Sequence, residues 1–223
     1  MDWRTTRKQF DELSDPFVMM PMNNAASSLS QGLFDANESF QEHMGTYGVS
    51  RKFWTVPCEL VHDEMGIIIG NAFVLAQVAI TQAVSMFMSL RNVCSNMDRF
   101  PKQKTKIMDF ESDLISSTLI KQITAIDGIA NYFKHYHEWP EGWDETNSKG
   151  VQKSTISLIK GLDFSEGELT NNMQRGLRLL NIHDHNLSQL CKIVEQWRER
   201  LATQLYKDSE IANNVFSFEP IQS

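Results

Sequence analysis

The stretch MGIIIGNAFVLAQVAITQAVSMFMSL, residues 65–90, runs for 26 residues without one charge. That length is enough to cross a bilayer. Asn71, Gln77, Thr81, Gln82, Ser85 and Ser89 interrupt it. On a helix, Asn71, Gln82, Ser85 and Ser89 fall near one side, because about eleven residues make close to three turns. A narrow polar seam of this kind predicts a central core helix packed by its neighbours, with no membrane span.

Outward from this stretch the pattern stays helical. Pro57 sits where a helix begins, and Phe100-Pro101 closes the segment, because a residue before proline avoids the α region. The resulting helix, about 58–97, is long enough that Gly66 and Gly70 are expected to mark a break. A second long helix is predicted over about 107–137, with an apolar stripe through Ile115, Leu119, Ile123, Ile126, Ala130 and Phe133. Trp139-Pro140-Glu141-Gly142-Trp143 ends it, and 144–150 reads as a polar loop. Residues 154–162 fit a short helix or a short strand, and 167–180 fit a helix.

The last helix has the clearest period. Leu187, Leu190, Val194, Trp197, Leu201 and Leu205 follow at three- and four-residue steps, with Asp184 as the expected N-cap. This seam packs within its own bundle or pairs with a second copy. Residues 1–50 are the least organised. A short helix fits 5–13, Asp15-Pro16 and the MMPMNNAASSLS run (19–30) break it, and 25–43 is moderately helical. The chain is therefore expected to be all-α. An N-terminal, partly helical arm (1–50) precedes a bundle of about four to six helices (51–210) and a tail (211–223).

Composition narrows the function. Of 223 residues, 21 are Lys or Arg and 28 are Asp or Glu, a net charge of −7. This excludes a strongly basic nucleic-acid coat. Cys58, Cys94 and Cys191 are odd in number and far apart, so no CxxC pair exists, and buried reduced thiols in a cytosolic protein are expected. The N-terminus leads into charged residues without an apolar run, so no signal peptide is expected.

One segment points toward chemistry. On a helix Asp127, Asn131, Lys134, His135 and Glu138 form a polar stripe beside the core stripe. A histidine flanked by a lysine and a carboxylate can act as a general acid or base near neutral pH. The plainer reading is a solvated face with Lys134 and Glu138 paired at i,i+4. Ile129-Ala130-Asn131-Tyr132-Phe133-Lys134-His135, late in a long helix of a small bundle, resembles the HEPN superfamily. Those are small α-helical proteins, common in bacterial toxin–antitoxin and antiphage systems, and many are metal-independent ribonucleases. Their motif is an Arg, four to six residues and a His, often with Asn directly after the Arg.

On this chain Asn131 and His135 match, while the arginine position falls on Ala130. The resemblance implies a HEPN-like bundle and a homodimer that brings two His135 copies together. It implies RNA as a ligand, His135 as acid/base, Asn131 as an orienting donor and Lys134 as a phosphate contact. Lacking the arginine's bidentate grip, the chain is expected to be a binding or scaffold member, with a divergent ribonuclease or a structural oligomerisation protein as the alternatives.

Arg178 and His183 form a literal Arg-x4-His and a second candidate pair. Lys102, Lys104 and Lys106 make the one basic cluster, suited either to phosphate contact or to a solvated loop. Trp139 and Trp143 suit base stacking or pinning a loop. The pairs His135/His137 and His183/His185 raise the question of a metal, yet i and i+2 on a helix diverge, and neither a metal nor a cofactor is expected.

Overall fold

The computed structural model describes residues 3–47, 56–116, 118–139, 143, 150–208 and 211. Among them are eight α-helices and no strand, so the chain is all-helical. In chain order these are α1 (Trp3–Ser14), α2 (Met20–Tyr47), α3 (Val56–Arg91), α4 (Lys104–Asp109), α5 (Gln122–His135), α6 (Gly150–Gly161), α7 (Leu169–Leu179) and α8 (Ser188–Tyr206). The tail segment 215–223 and the loop residues 144–149 lie outside the described residues.

α3 is the spine, and α1, α2, α5, α7 and α8 all pack on it. It runs unbroken through Gly66 and Gly70. The two glycines are notches for close approach. A Cβ at position 70 would enter the Phe133 ring, and one at position 66 would meet Thr170. α3 is also the one helix among the described residues long and apolar enough to cross a membrane, with 56% of its most apolar window buried in the fold. Its polar seam points outward. Asn71, Gln82 and Ser85 are exposed, while His62, Gln77 and Arg91 turn into the core.

The N-terminal segment contributes to the same core. Asp15 caps the 3-10 turn Pro16–Met19 by accepting from the Phe17 amide at 2.8 Å, and α2 starts at once. The expected break at 19–30 does not occur. Ser27, Ser28 and Ser30 donate back to the carbonyls four residues earlier, so their hydroxyls do not compete with the helix. Met19, Ala26, Leu33 and Ala36 are buried, with Met22 and Leu29 packed against the core between them. That stripe, at three- and four-residue steps, holds α2 along the spine. α1 is tied to α8, where Arg198 donates to the Glu12 carbonyl.

The helix expected over 107–137 is two helices with a folded loop between them. α4 ends at Asp109, Glu111 takes a positive φ of 58°, and 113–122 closes through Ile115 N to Ile120 O (2.9 Å) and Gln122 N to Asp113 O (2.8 Å). Buried Ser112 explains the split. Its Oγ accepts from the Ile123 amide (3.2 Å), acting as a distant N-cap where Lys121 offers none, and its carbonyl takes the Lys121 ammonium at 2.7 Å. Leu119 stands 93% exposed at the loop tip, while Ile115 is buried.

Residues 154–162 fall in a helix, α6 and the turn just after it. The α8 seam is fully buried from Leu187 to Leu205, so it serves its own bundle and has no face left for a second copy. Each such side chain contributes roughly 1.5–3 kcal/mol by leaving water. Asp184 does not cap α8. It sits at positive φ in the preceding turn, and Leu187 occupies the cap position, its amide donating to Ser30 Oγ of α2 at 2.9 Å.

All three thiols are free and buried. Burial, then Asp208, pushes Cys94 up to about 12; burial, then Glu195, pushes Cys191 up to about 11. In the unfolded chain a thiol ionises near about 8.5. The neutral thiols therefore contribute their full stability below that value and lose it as pH climbs toward the folded values. Urea titrations should show a midpoint that falls steadily above about pH 9, with a shallower fall in Cys191→Ala.

Candidate functional site

α5 presents Ile123, Ile126, Ile129, Ala130 and Tyr132 to the core. Its polar stripe begins with Asp127, which is itself buried against α3. Gln77 of α3 donates its amide to the Asp127 carbonyl (3.1 Å), to Asp127 Oδ1 (3.0 Å) and to Asn131 Oδ1 (3.0 Å). Asn131 donates to Asp127 Oδ2 at 3.2 Å, and Lys104 of α4 donates to Oδ1 at 3.0 Å. Lys134 closes the group by donating to Gln77 Oε1 at 2.7 Å. Every member has a partner, as a buried polar cluster requires.

This arrangement replaces the pairing expected of a plain solvated face. Lys134 turns to Gln77, not to Glu138. Glu138 sits in the 3-10 turn Tyr136–Glu138, whose tighter winding sets it three residues on from His135, and Glu138 Oε2 lies 3.1 Å from His135 Nδ1. Both side chains are exposed, so the pair is screened and contributes little to stability.

Between the end of α5 and the start of α6 lies a cleft of about 250 Å³, lined by Asn131, His135, Glu138, Trp139, Gln152 and Thr155. Two of the sequence candidates, Asn131 and His135, thus share one wall. The third, Lys134, points into the α3 contact. Arg178 and His183 are both exposed, at the end of α7 and in the loop that follows, and neither lines the cleft. The basic cluster divides. Lys104 joins Asp127, whereas Lys102 and Lys106 line a separate shallow groove over Phe100 and Phe110, with Lys102 paired to Asp98 at 3.5 Å.

Trp139 and Trp143 pack on Tyr132, with ring centroids 5.2 and 5.8 Å away, so they pin the segment after α5 onto the bundle. Trp139 also presents part of its indole to the cleft. Tyr132 Oη accepts from Asn172 at 3.0 Å, and burial raises its pKa above the ordinary phenol value against the pull of that bond. Among the described residues no three His, Cys, Asp or Glu side chains come together as a metal site.

Sequence reasoning passed over Gln77, Gln152 and Thr155. Gln77 was findable, since it lies on the helical row of the buried Phe73, Ile80 and Val84. Gln152 and Thr155 carried no such signal, because α6 meets α5 only through the tertiary fold. No protein-family model matches the chain, and no curated protein and no solved structure matches it either.

Removing the hub should be costly. Asp127→Ala leaves the Gln77 amide without its main acceptor and is expected to lower unfolding free energy by about 2–3 kcal/mol, whereas Lys104→Met, at a half-exposed partner, should cost less than about 1 kcal/mol. Urea denaturation of the two variants checks the contrast.

Proposed function

We propose that the chain is a HEPN-like helical protein that acts as a binding or scaffold component, in the bacterial defence or toxin–antitoxin setting that the resemblance implies. The observation that carries this reading is that no described residue supplies a cationic grip beside His135. The position that would hold the motif's arginine is Ala130, which is fully buried in the core. Lys134, the nearest cation in sequence, is committed to Gln77. Among the described residues the cleft wall then consists of amide, hydroxyl, carboxylate, imidazole and indole groups. Such a wall can hold a polar ligand or a partner's side chain, but it offers little to neutralise the charge that builds on a phosphate during cleavage.

A divergent ribonuclease is the second reading, favoured by Asn131 and His135 sharing one cleft. In it His135 would move the proton and Asn131 would orient the ribose hydroxyl or a phosphate oxygen. Incubation with mixed-sequence RNA in the presence of a chelator separates the two. The binding reading predicts intact RNA with wild type and with His135→Ala. Cleavage by wild type that His135→Ala abolishes would overturn it in favour of the enzyme.

A further inference from the structure

The hydrogen-bonding groups on the wall of the cleft between α5 and α6 are mostly acceptors. Glu138 Oε2 faces His135 Nδ1 at 3.1 Å. That contact holds the proton of the neutral imidazole on Nδ1 and leaves Nε2 as an acceptor. Among the described residues, the second carboxylate oxygen of Glu138 and the whole side-chain amide of half-buried Gln152 make no hydrogen bond. Asn131 Oδ1 accepts from Gln77 at 3.0 Å and keeps a second lone pair. The indole of Trp139 completes this part of the wall.

Charge points the same way. Glu138 is the one carboxylate among the lining residues, and no Lys or Arg lines the cleft with it. Lys104 and Lys134 stand behind Asn131, one held by Asp127 and the other by Gln77. In sequence, the stretch 140–149 that joins the two walls carries Glu141, Asp144 and Glu145 against Lys149. We propose that the cleft holds an alkylguanidinium group. Its N–H fork would be shared among Glu138, His135 Nε2 and the amide oxygens of Asn131 and Gln152, with its plane against Trp139. The inference rests on the reading of the chain as a binding component and names what the cleft binds.

Three considerations select this group. The first is size. At about 250 Å³ the cleft falls just below the range of small-molecule sites, about 300–1,000 Å³, and suits the head of a side chain better than a whole nucleotide. The second is the sign of the charge. A phosphate would lose water beside Glu138 with no cation on the wall to replace it. A neutral base could use the two amides, but it would set acceptors of its own against Glu138 and His135 Nε2. The third is shape. The acceptors come from α5, from the 3-10 turn Tyr136–Glu138 and from α6, so they converge from separate directions. A planar guanidinium with five N–H donors can meet several of them at once and lie on an indole. A lysine ammonium is a compact, strongly hydrated point charge with three donors, and it gains less here.

Titration of the full chain with the peptide acetyl-Gly-Arg-Gly-amide, followed by NMR at the Trp139 indole N–H and the Gln152 side-chain amide, tests the proposal. Both signals should shift and saturate. The matching lysine peptide should bind at least about tenfold more weakly. Glu138→Gln, at an exposed position, should keep the wild-type urea midpoint and weaken the arginine peptide at least about tenfold. Gln152→Ala, on the opposite wall, should weaken it at least about threefold. Agmatine in place of the peptide identifies the source. Tighter binding of the peptide assigns the cleft to a partner protein's arginine, and tighter binding of agmatine to a free guanidino compound; either bears out the site. No saturable shift, equal affinity for the lysine peptide, or Glu138→Gln that binds like wild type would each overturn the proposal. So would uridine monophosphate shifting the same two signals while the arginine peptide does not. A chain that leaves RNA intact and ignores the arginine peptide loses this inference and keeps the binding reading. One that cleaves RNA and still takes the peptide does the reverse.

Discussion

The contact between Gln77 and Asp127 is the constraint on which the rest of the molecule turns. From 65 to 90 α3 carries no charge, and over that length it offers its neighbours almost nothing polar to orient against. Gln77 is the exception. Its amide reaches both the carboxylate and the backbone carbonyl of Asp127, fixing α5 in rotation and in height along the spine. An apolar contact would tolerate a slide of one turn; a buried amide against a buried carboxylate does not, because any slide leaves both unsatisfied. With α5 fixed, Phe133 falls into the notch at Gly70, and Asn131 and His135 arrive at the cleft mouth.

The same contact decides which polar residues are free for chemistry. Lys104, Asn131 and Lys134 all converge on Gln77 and Asp127. They look like a basic, catalytic-type constellation in one dimension. In three dimensions they are the satisfied shell of a buried acid. His135 lies one residue beyond that shell, in the last turn of α5, where its Nδ1 meets Glu138 and its ring lines the cleft.

Much of the fold was legible in the sequence, and the failures share a cause. The α8 seam could be read because Leu, Val and Trp recur at helical spacing and nothing local contradicts them. α2 was read as broken because its core stripe is built from Met and Ala among Ser and Asn, residues whose local preferences favour loops; packing on α3 overrode them. The segment 107–137 was read as one helix because Ile115 and Leu119 happen to fall in phase. Ser112 capping α5 from eleven residues upstream of Ile123 leaves no trace in a helical wheel. At the site, the i,i+4 relation of Asn131 and His135 placed them on one wall. Lys134's partner lies 57 residues away on another helix, beyond the reach of local pattern.

α3 thus has two unlike faces. Its inner face gathers the core and, through Gln77, sets the register of α5. Its outer face stays neutral and exposed. The inner role is tested most directly by a double-mutant cycle between Gln77→Leu and Asp127→Leu, read by urea denaturation. If the contact fixes α5, the double variant should be more stable than the sum of the single losses predicts, with a coupling of about 1–3 kcal/mol. Losses that add to within about 0.5 kcal/mol would mean that the two residues do not act on each other, and the account of the spine would fail.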